Sequence, residues 1–178
     1  MQFKNRFIGF FIISGLVLSS FGLPQNIQKK IQKEFEKFFD SSEITLKSVA
    51  VTAKLNAQLP TKISKDNFFK LSKESKFIGY AFVDKAPSKT AKFDYLVIFD
   101  TNLKITHSKI LIYREEYGGE IGSKRWLQQF LGKTIGDRVA LDDNIDGIAG
   151  ATISVRSMTH SMDNLLQTIT ILQNNKVL

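Results

Sequence analysis

The stretch Asp146-Gly147-Ile148-Ala149-Gly150-Ala151-Thr152-Ile153-Ser154 places small residues and two hydroxyls just ahead of a helical repeat. In that repeat Val155, Met158, Met162, Leu165, Leu166, Ile169 and Leu172 recur at the spacing of one helix face, which predicts a helix beginning near Thr152 or Ile153. The first N–H groups of a helix have no acceptor within it and carry partial positive charge. A Gly-Ala-Thr step there is a natural seat for a phosphate, and the same spacing is also met by a plain threonine N-cap. Asp142, Asp143 and Asp146 lack the alternating oxygen ligands and closing glutamate of a calcium loop. A second polar cluster, Arg114-Glu115-Glu116-Tyr117-Gly118-Gly119-Glu120, follows a strand-like segment. Adjacent glycines reach backbone conformations closed to other residues, so a planar ligand could lie against this main chain, and an ordinary loop would also use them.

Other chemistries find no support. The chain has no cysteine, which excludes disulfides, thiolate metal sites, cysteine-ligated clusters and a catalytic thiol. His107 falls in a strand-like segment and reads as a surface or satisfied residue, and His160 lies outside the apolar stripe of the last helix. No histidine-centred triad, paired acid/base site or Gly-x-Gly-x-x-Gly signature is present, so the reading is of no independent dehydrogenase and no catalytic residue. Any redox chemistry then needs an organic cofactor.

The elements that must position these residues can be outlined. The 178 residues suit one ordinary domain with a short extension, at 43% hydrophobic and 24% charged. Residues 7–23 carry no charge, follow Lys4 and Arg6 and precede Pro24, which reads as a signal peptide or, preferably, an uncleaved membrane anchor with the body on the extracytoplasmic side. Ile27, Ile31, Phe35, Phe38 and Phe39 predict a helix over residues 26–39, broken at Asp40. Leu46, Val49 and Val51 hint at a strand, and residues 68–71 read as a short helix capped by Ser64 or Asp66. Residues 77–83, 93–99 and 104–113 read as three successive antiparallel strands, the last with one covered face. Residues 124–130 read as a short helix with Trp126, Leu127 and Phe130 inward. The fold class expected is α+β, an antiparallel sheet packed with helices and preceded by an N-terminal hydrophobic helix. The division expected is 1–24 for the signal or anchor, 25–75 for a helical and mixed lead-in, and 76–178 for the main domain. The net charge of +8 is concentrated in residues 24–109, with 16 basic against 9 acidic side chains. Scattered singly, these suit a solvated surface, or a module binding an acidic partner or anionic lipid. Nothing points to nucleic acid.

The segment from Asp146 to Ser154 resembles the flavinylation motif of the FMN-binding domain family, in which Asp, two variable residues, Ser or Thr, then Gly-Ala-Thr precede a helix. Two further elements resemble that family: Glu115-Glu116-Tyr117-Gly118 with Gln129-Phe130 and Gly132-Lys133, and Gly79-Tyr80-Ala81-Phe82-Val83. The family includes flavin-carrying components of the sodium-pumping NADH:quinone oxidoreductase and of the Rnf complex, and many small membrane-bound FMN-binding proteins. The resemblance implies FMN esterified to Thr152 by a flavin transferase that reads the motif around Asp146. It also implies a phosphate held near Gly150, Ala151 and Ser154, and a flavin ring along Glu115, Tyr117, Gly118 and Gly119. The rings of Trp126 and Tyr95 could stack on such a ring or equally belong to the core. The protein would then be a membrane-tethered electron carrier between a respiratory donor and acceptor. The alternative from another class is a non-redox extracytoplasmic module for a partner protein or anionic lipid.

Overall fold

The computed structural model describes residues 22–178. The apolar segment over 7–23 falls almost wholly outside the described residues. Among those described, no helix is long and apolar enough to cross a membrane.

Helix α1 spans Gln25–Phe39 and buries Ile27, Ile31 and Phe35, one residue per turn, as its spacing predicts. The carbonyl of Pro24 accepts from Ile27 and Gln28 to start it, and Asp40, in the left-handed conformation at φ 48, ends it. Strand β1 (Ile44–Ser48) follows, then a short helix α2 (Ala53–Gln58) and the strands β2 (Phe68–Lys73), β3 (Lys76–Pro87), β4 (Lys92–Phe99) and β5 (Ile105–Ile112). They form one five-stranded antiparallel sheet in the order β1-β2-β3-β4-β5. After β5 a 3-10 turn (Gly119–Gly122) leads to the short helix α3 (Lys124–Leu127), a second 3-10 turn (Gln128–Phe130), an irregular stretch and the long helix α4 (Thr152–Asn174). This is the α+β architecture expected, with the strand hinted at around Leu46 present as β1 and with β2 added to the three successive strands.

Two expectations fail for the same reason, which is that both faces of the sheet are covered. One face carries Phe69, Leu71, Ala81, Val83, Leu96, Ile98 and Leu111 against α1. The other carries Phe68, Phe82, Phe93, Tyr95, Val97 and Phe99 against α4 and the segment that contains Trp126 and Phe130. A sheet dry on both sides needs apolar residues at consecutive positions, so β4 is buried from Phe93 to Phe99 without alternation. β5, expected to have one covered face, contributes Leu111 to one layer and Ile105 and Ile110 to the other. Residues 68–71 form β2 rather than a helix. Phe68 enters one core and Phe69 and Leu71 the other, a distribution that a short apolar run in sequence does not distinguish from a helix turn. Ser64 and Asp66, expected as caps, make a turn in which the Asp66 N–H donates to Ser64 Oγ at 3.2 Å. Val49 and Val51 lie just beyond β1 and are only partly buried.

Local backbone geometry sets the register. The β2–β3 hairpin closes through Glu74 and Ser75, flanked by the pair Lys73↔Lys76, with φ of 49 and 64 at the two turn residues. That is the primed turn matching strand twist, built here without the usual Asn or Gly. Gly79 in β3 has φ +139, and a Cβ there would stand 2.1 Å from the carbonyl oxygen of Phe99 on β4. Only glycine fits at that position. His107 lies half-buried on β5 with Nε2 3.1 Å from Glu34 Oε1 of α1, so it is a satisfied residue. Burial lowers its pKa, against the opposing pull of the Glu34 carboxylate.

Replacing Gly79 by Ala should destabilise the fold by about 2–4 kcal/mol, because β3 and β4 must separate to admit a methyl group. Ser75→Gly should act oppositely and add about 0.5–1 kcal/mol by removing the left-handed penalty at a turn position. Denaturant midpoints at unchanged slope measure both.

Candidate functional site

At one end of the sheet, three parts of the chain converge: the turn between β3 and β4, the segment that leaves β5, and the start of α4. They bound a groove of about 510 Å³ lined by Lys89, Thr90, Tyr113, Glu115, Glu116, Tyr117, Gly150, Ala151, Ile153 and Ser154. That size falls within the range of small-molecule sites.

Two side chains hold these walls together. Glu115 accepts from Ser88 Oγ at 2.6 Å, from the Thr90 N–H at 2.7 Å, from Thr90 Oγ1 at 2.8 Å and from the Ala91 N–H at 3.1 Å. These donors, the Ser88 hydroxyl first and Thr90 next, pull its pKa from an ordinary 4.5 to about 2. Glu115 therefore clamps the β3–β4 turn to the segment after β5. Tyr113 makes the second link, with its hydroxyl 3.0 Å from the Tyr117 carbonyl and 3.0 Å from Ser154 Oγ. A phenol has one proton and the carbonyl can only accept, so Tyr113 donates to Tyr117 and the Ser154 hydroxyl donates to Tyr113. Ser154 is 3% exposed and its hydroxyl proton is committed inside the protein, so its backbone N–H is the donor it can offer a ligand.

The glycine turn packs directly on the helix start. Gly118 has φ +82, and a Cβ there would meet Tyr113 Oη at 2.9 Å and Ala151 Cβ at 3.0 Å. The N-cap of α4 is Ala151, which has no side-chain acceptor. Consequently, the N–H groups of Thr152, Ile153 and Ser154 have no acceptor among the described residues. Thr152 is the first helical residue and not the cap. It is exposed, between the lining residues Ala151 and Ile153, and is not itself a wall of the groove.

The other residues singled out in the sequence divide clearly. Gly150, Ala151, Ser154, Glu115 and Tyr117 line the groove. Gly119 is exposed, with the Tyr113 ring edge 4.0 Å from where its Cβ would be. Asp146 is exposed and outside the groove, its main chain fixed by Trp126 Nε1 donating to its carbonyl at 2.8 Å and by its own N–H donating to Gln129 Oε1 at 2.8 Å. Trp126 and Tyr95, considered for stacking, are 4% and 1% exposed and belong to the core. Burial pushes the Tyr95 phenol pKa up. The aromatic that does face the groove is Tyr117, 77% exposed. Glu116 and Ile153, from within the two segments singled out in the sequence, also line it, as do Lys89, Thr90 and Tyr113, which no spacing signal marked. Among the described residues no cluster of His, Cys, Asp or Glu could hold a metal ion.

A model of the FMN-binding domain matches residues 90–167, which span all three walls of the groove except Lys89. The matched stretch, under half of the chain, is similar to the FMN-binding domain. Among solved structures, the fold is similar to that of NqrC from Shewanella oneidensis, with 18% identity over 74% of this chain and 70% of that chain and a TM-score of 0.50. No curated protein sequence matches the chain. Within the matched residues, the groove, apart from Lys89, and the uncapped helix start fall together.

The clamp yields a pH signature. The folded carboxyl of Glu115 titrates below its unfolded value, so its stabilising effect is complete above about pH 4.5 and fades as pH falls through about 2. Thermal midpoints of the protein and of Glu115→Gln should differ at pH 7 and converge near pH 2. A constant difference across that range would show that Glu115 does not act through its charge.

Proposed function

We propose that this protein is a membrane-tethered flavoprotein that carries electrons on FMN esterified at Thr152, between a respiratory donor and acceptor. The observation that carries the reading is the helix start without a capping side chain, beside a groove, within an FMN-binding domain. The residues present fit the group. Three unpartnered N–H groups and the positive end of α4 suit a phosphate. Thr152, exposed on the first turn, leaves its hydroxyl accessible to a flavin transferase, with Asp146 exposed upstream as part of the sequence that enzyme reads. The Tyr117 ring and the half-exposed Ile153 side chain offer apolar surface to a planar ring, while the main chain around Gly118 offers polar contacts.

The flavin supplies one- or two-electron transfer when bound, and the chain supplies position and electrostatics. Glu115 fixes the turn that carries Lys89. Tyr113 fixes the glycine loop against α4, so the polar edge of the site is set before any ligand arrives. Residues 7–23 serve as the anchor and keep the domain at the extracytoplasmic membrane surface.

Coexpression with a flavin transferase should give a yellow protein whose fluorescence survives denaturing electrophoresis, and Thr152→Val should abolish that fluorescence while leaving the fold intact. A colourless product with an active transferase would instead favour the non-redox binding module. Colour lost on denaturation would assign non-covalent FMN.

A further inference from the structure

β5 is an edge strand of the sheet. Among the described residues, only its first residue is paired from outside, with the Ile105 N–H donating to Lys133 O and the Gly132 N–H donating to Ile105 O, both at 2.8 Å. Just beyond, four consecutive residues of β5, Thr106 to Lys109, line a second groove of about 400 Å³. One wall is α1, through Lys37 and Phe38. The other is the segment around α3, through Lys124 and Leu131. On one face of the strand His107 meets Glu34 of α1, and on the other Ser108 Oγ donates to the Leu127 carbonyl at 3.4 Å. A cavity that touches both faces of one strand runs along its edge, so the two helical layers overhang β5 and leave a slot between them.

We propose that this slot docks an extended acidic segment of a partner protein, which adds to β5 as a further strand. The shape selects an extended chain, because a strand edge offers main-chain donors and acceptors in register and the gap between the layers bounds whatever pairs with them. The charges select acidic side chains. Lys37 on one wall, Lys109 on the strand and Lys124 on the other wall have no ion-pair partner among the described residues, and the one lining carboxylate, Glu34, is already engaged by His107. Successive side chains of an added strand point to opposite faces, so acidic residues on both sides of the segment would each meet a lysine. Phe38, 38% exposed, and Leu131, 43% exposed, give apolar residues a place to bury. The slot is separate from the groove at the start of α4 and shares no lining residue with it, so the proposal stands without the flavin reading.

The test uses the full-length protein in detergent and a labelled short peptide in which pairs of adjacent glutamates alternate with pairs of valines, so that both faces of the added strand carry acidic residues. The peptide should bind, Lys37→Glu with Lys124→Glu should weaken binding at least tenfold, and the amides of residues 106–109 should gain protection from hydrogen exchange. The control pair Lys47→Glu with Lys76→Glu, exposed lysines elsewhere on the sheet, should change binding less than threefold. Equal binding of a peptide with lysine in place of glutamate, an equal loss in the control pair, or no gain in protection over β5 would overturn the proposal. So would a groove-dependent preference for vesicles of anionic lipid over the peptide.

Discussion

Burying both faces of one antiparallel sheet is the constraint on which the rest of this molecule depends. With α1 on one side and α4 on the other, the interior of β3 and β4 has almost no place for polar groups. The exception, Asp94, is 2% exposed and is held by Arg114 at 2.6 Å near the end of the sheet. Polar chemistry is pushed to the strand ends and edges. Both grooves lie there, one where β3, β4 and β5 turn and one along the free side of β5.

A site at the end of a sheet is made of loops, and loops need external restraint to hold a geometry. Here the restraint comes from two side chains that reach across segments distant in sequence. Glu115 spends its acceptor capacity on Ser88, Thr90 and Ala91, and Tyr113 joins Tyr117 to Ser154. Neither needs a ligand to be in place. The helix start they surround keeps its own N–H groups unspent because its cap is an alanine. Had Thr152 occupied the cap position, its hydroxyl would have turned inward to serve the helix. One residue of offset leaves it facing solvent.

Much of this was legible in the residues and some was not, for identifiable reasons. α1 and α4 were readable because each keeps one apolar stripe over several turns, and the last three strands because β-branched and aromatic residues cluster between turn signals. β2 was unreadable because Phe68 and Phe69 serve opposite faces, which removes the alternation that marks a strand. The Glu74–Ser75 turn lacks the Asn or Gly that would have announced a tight hairpin. In the site, the Gly-Ala-Thr step and the Gly118 loop were visible as backbone features. Tyr113 was not, since its role depends on the 41-residue separation from Ser154 closing in three dimensions. Residue type alone also left Trp126 and Tyr95 open between core and ligand, because an aromatic ring suits either, and the structure puts both in the core.

Trp126 has a consequence of its own. It is the only tryptophan in the chain, nearly dry, and its indole N–H is given to the carbonyl of Asp146, just upstream of the start of α4. Lifting that stretch away would hand the indole N–H to water and wet the ring. The molecule therefore carries a built-in optical gauge, whose emission colour follows whether the approach to the helix is seated or released.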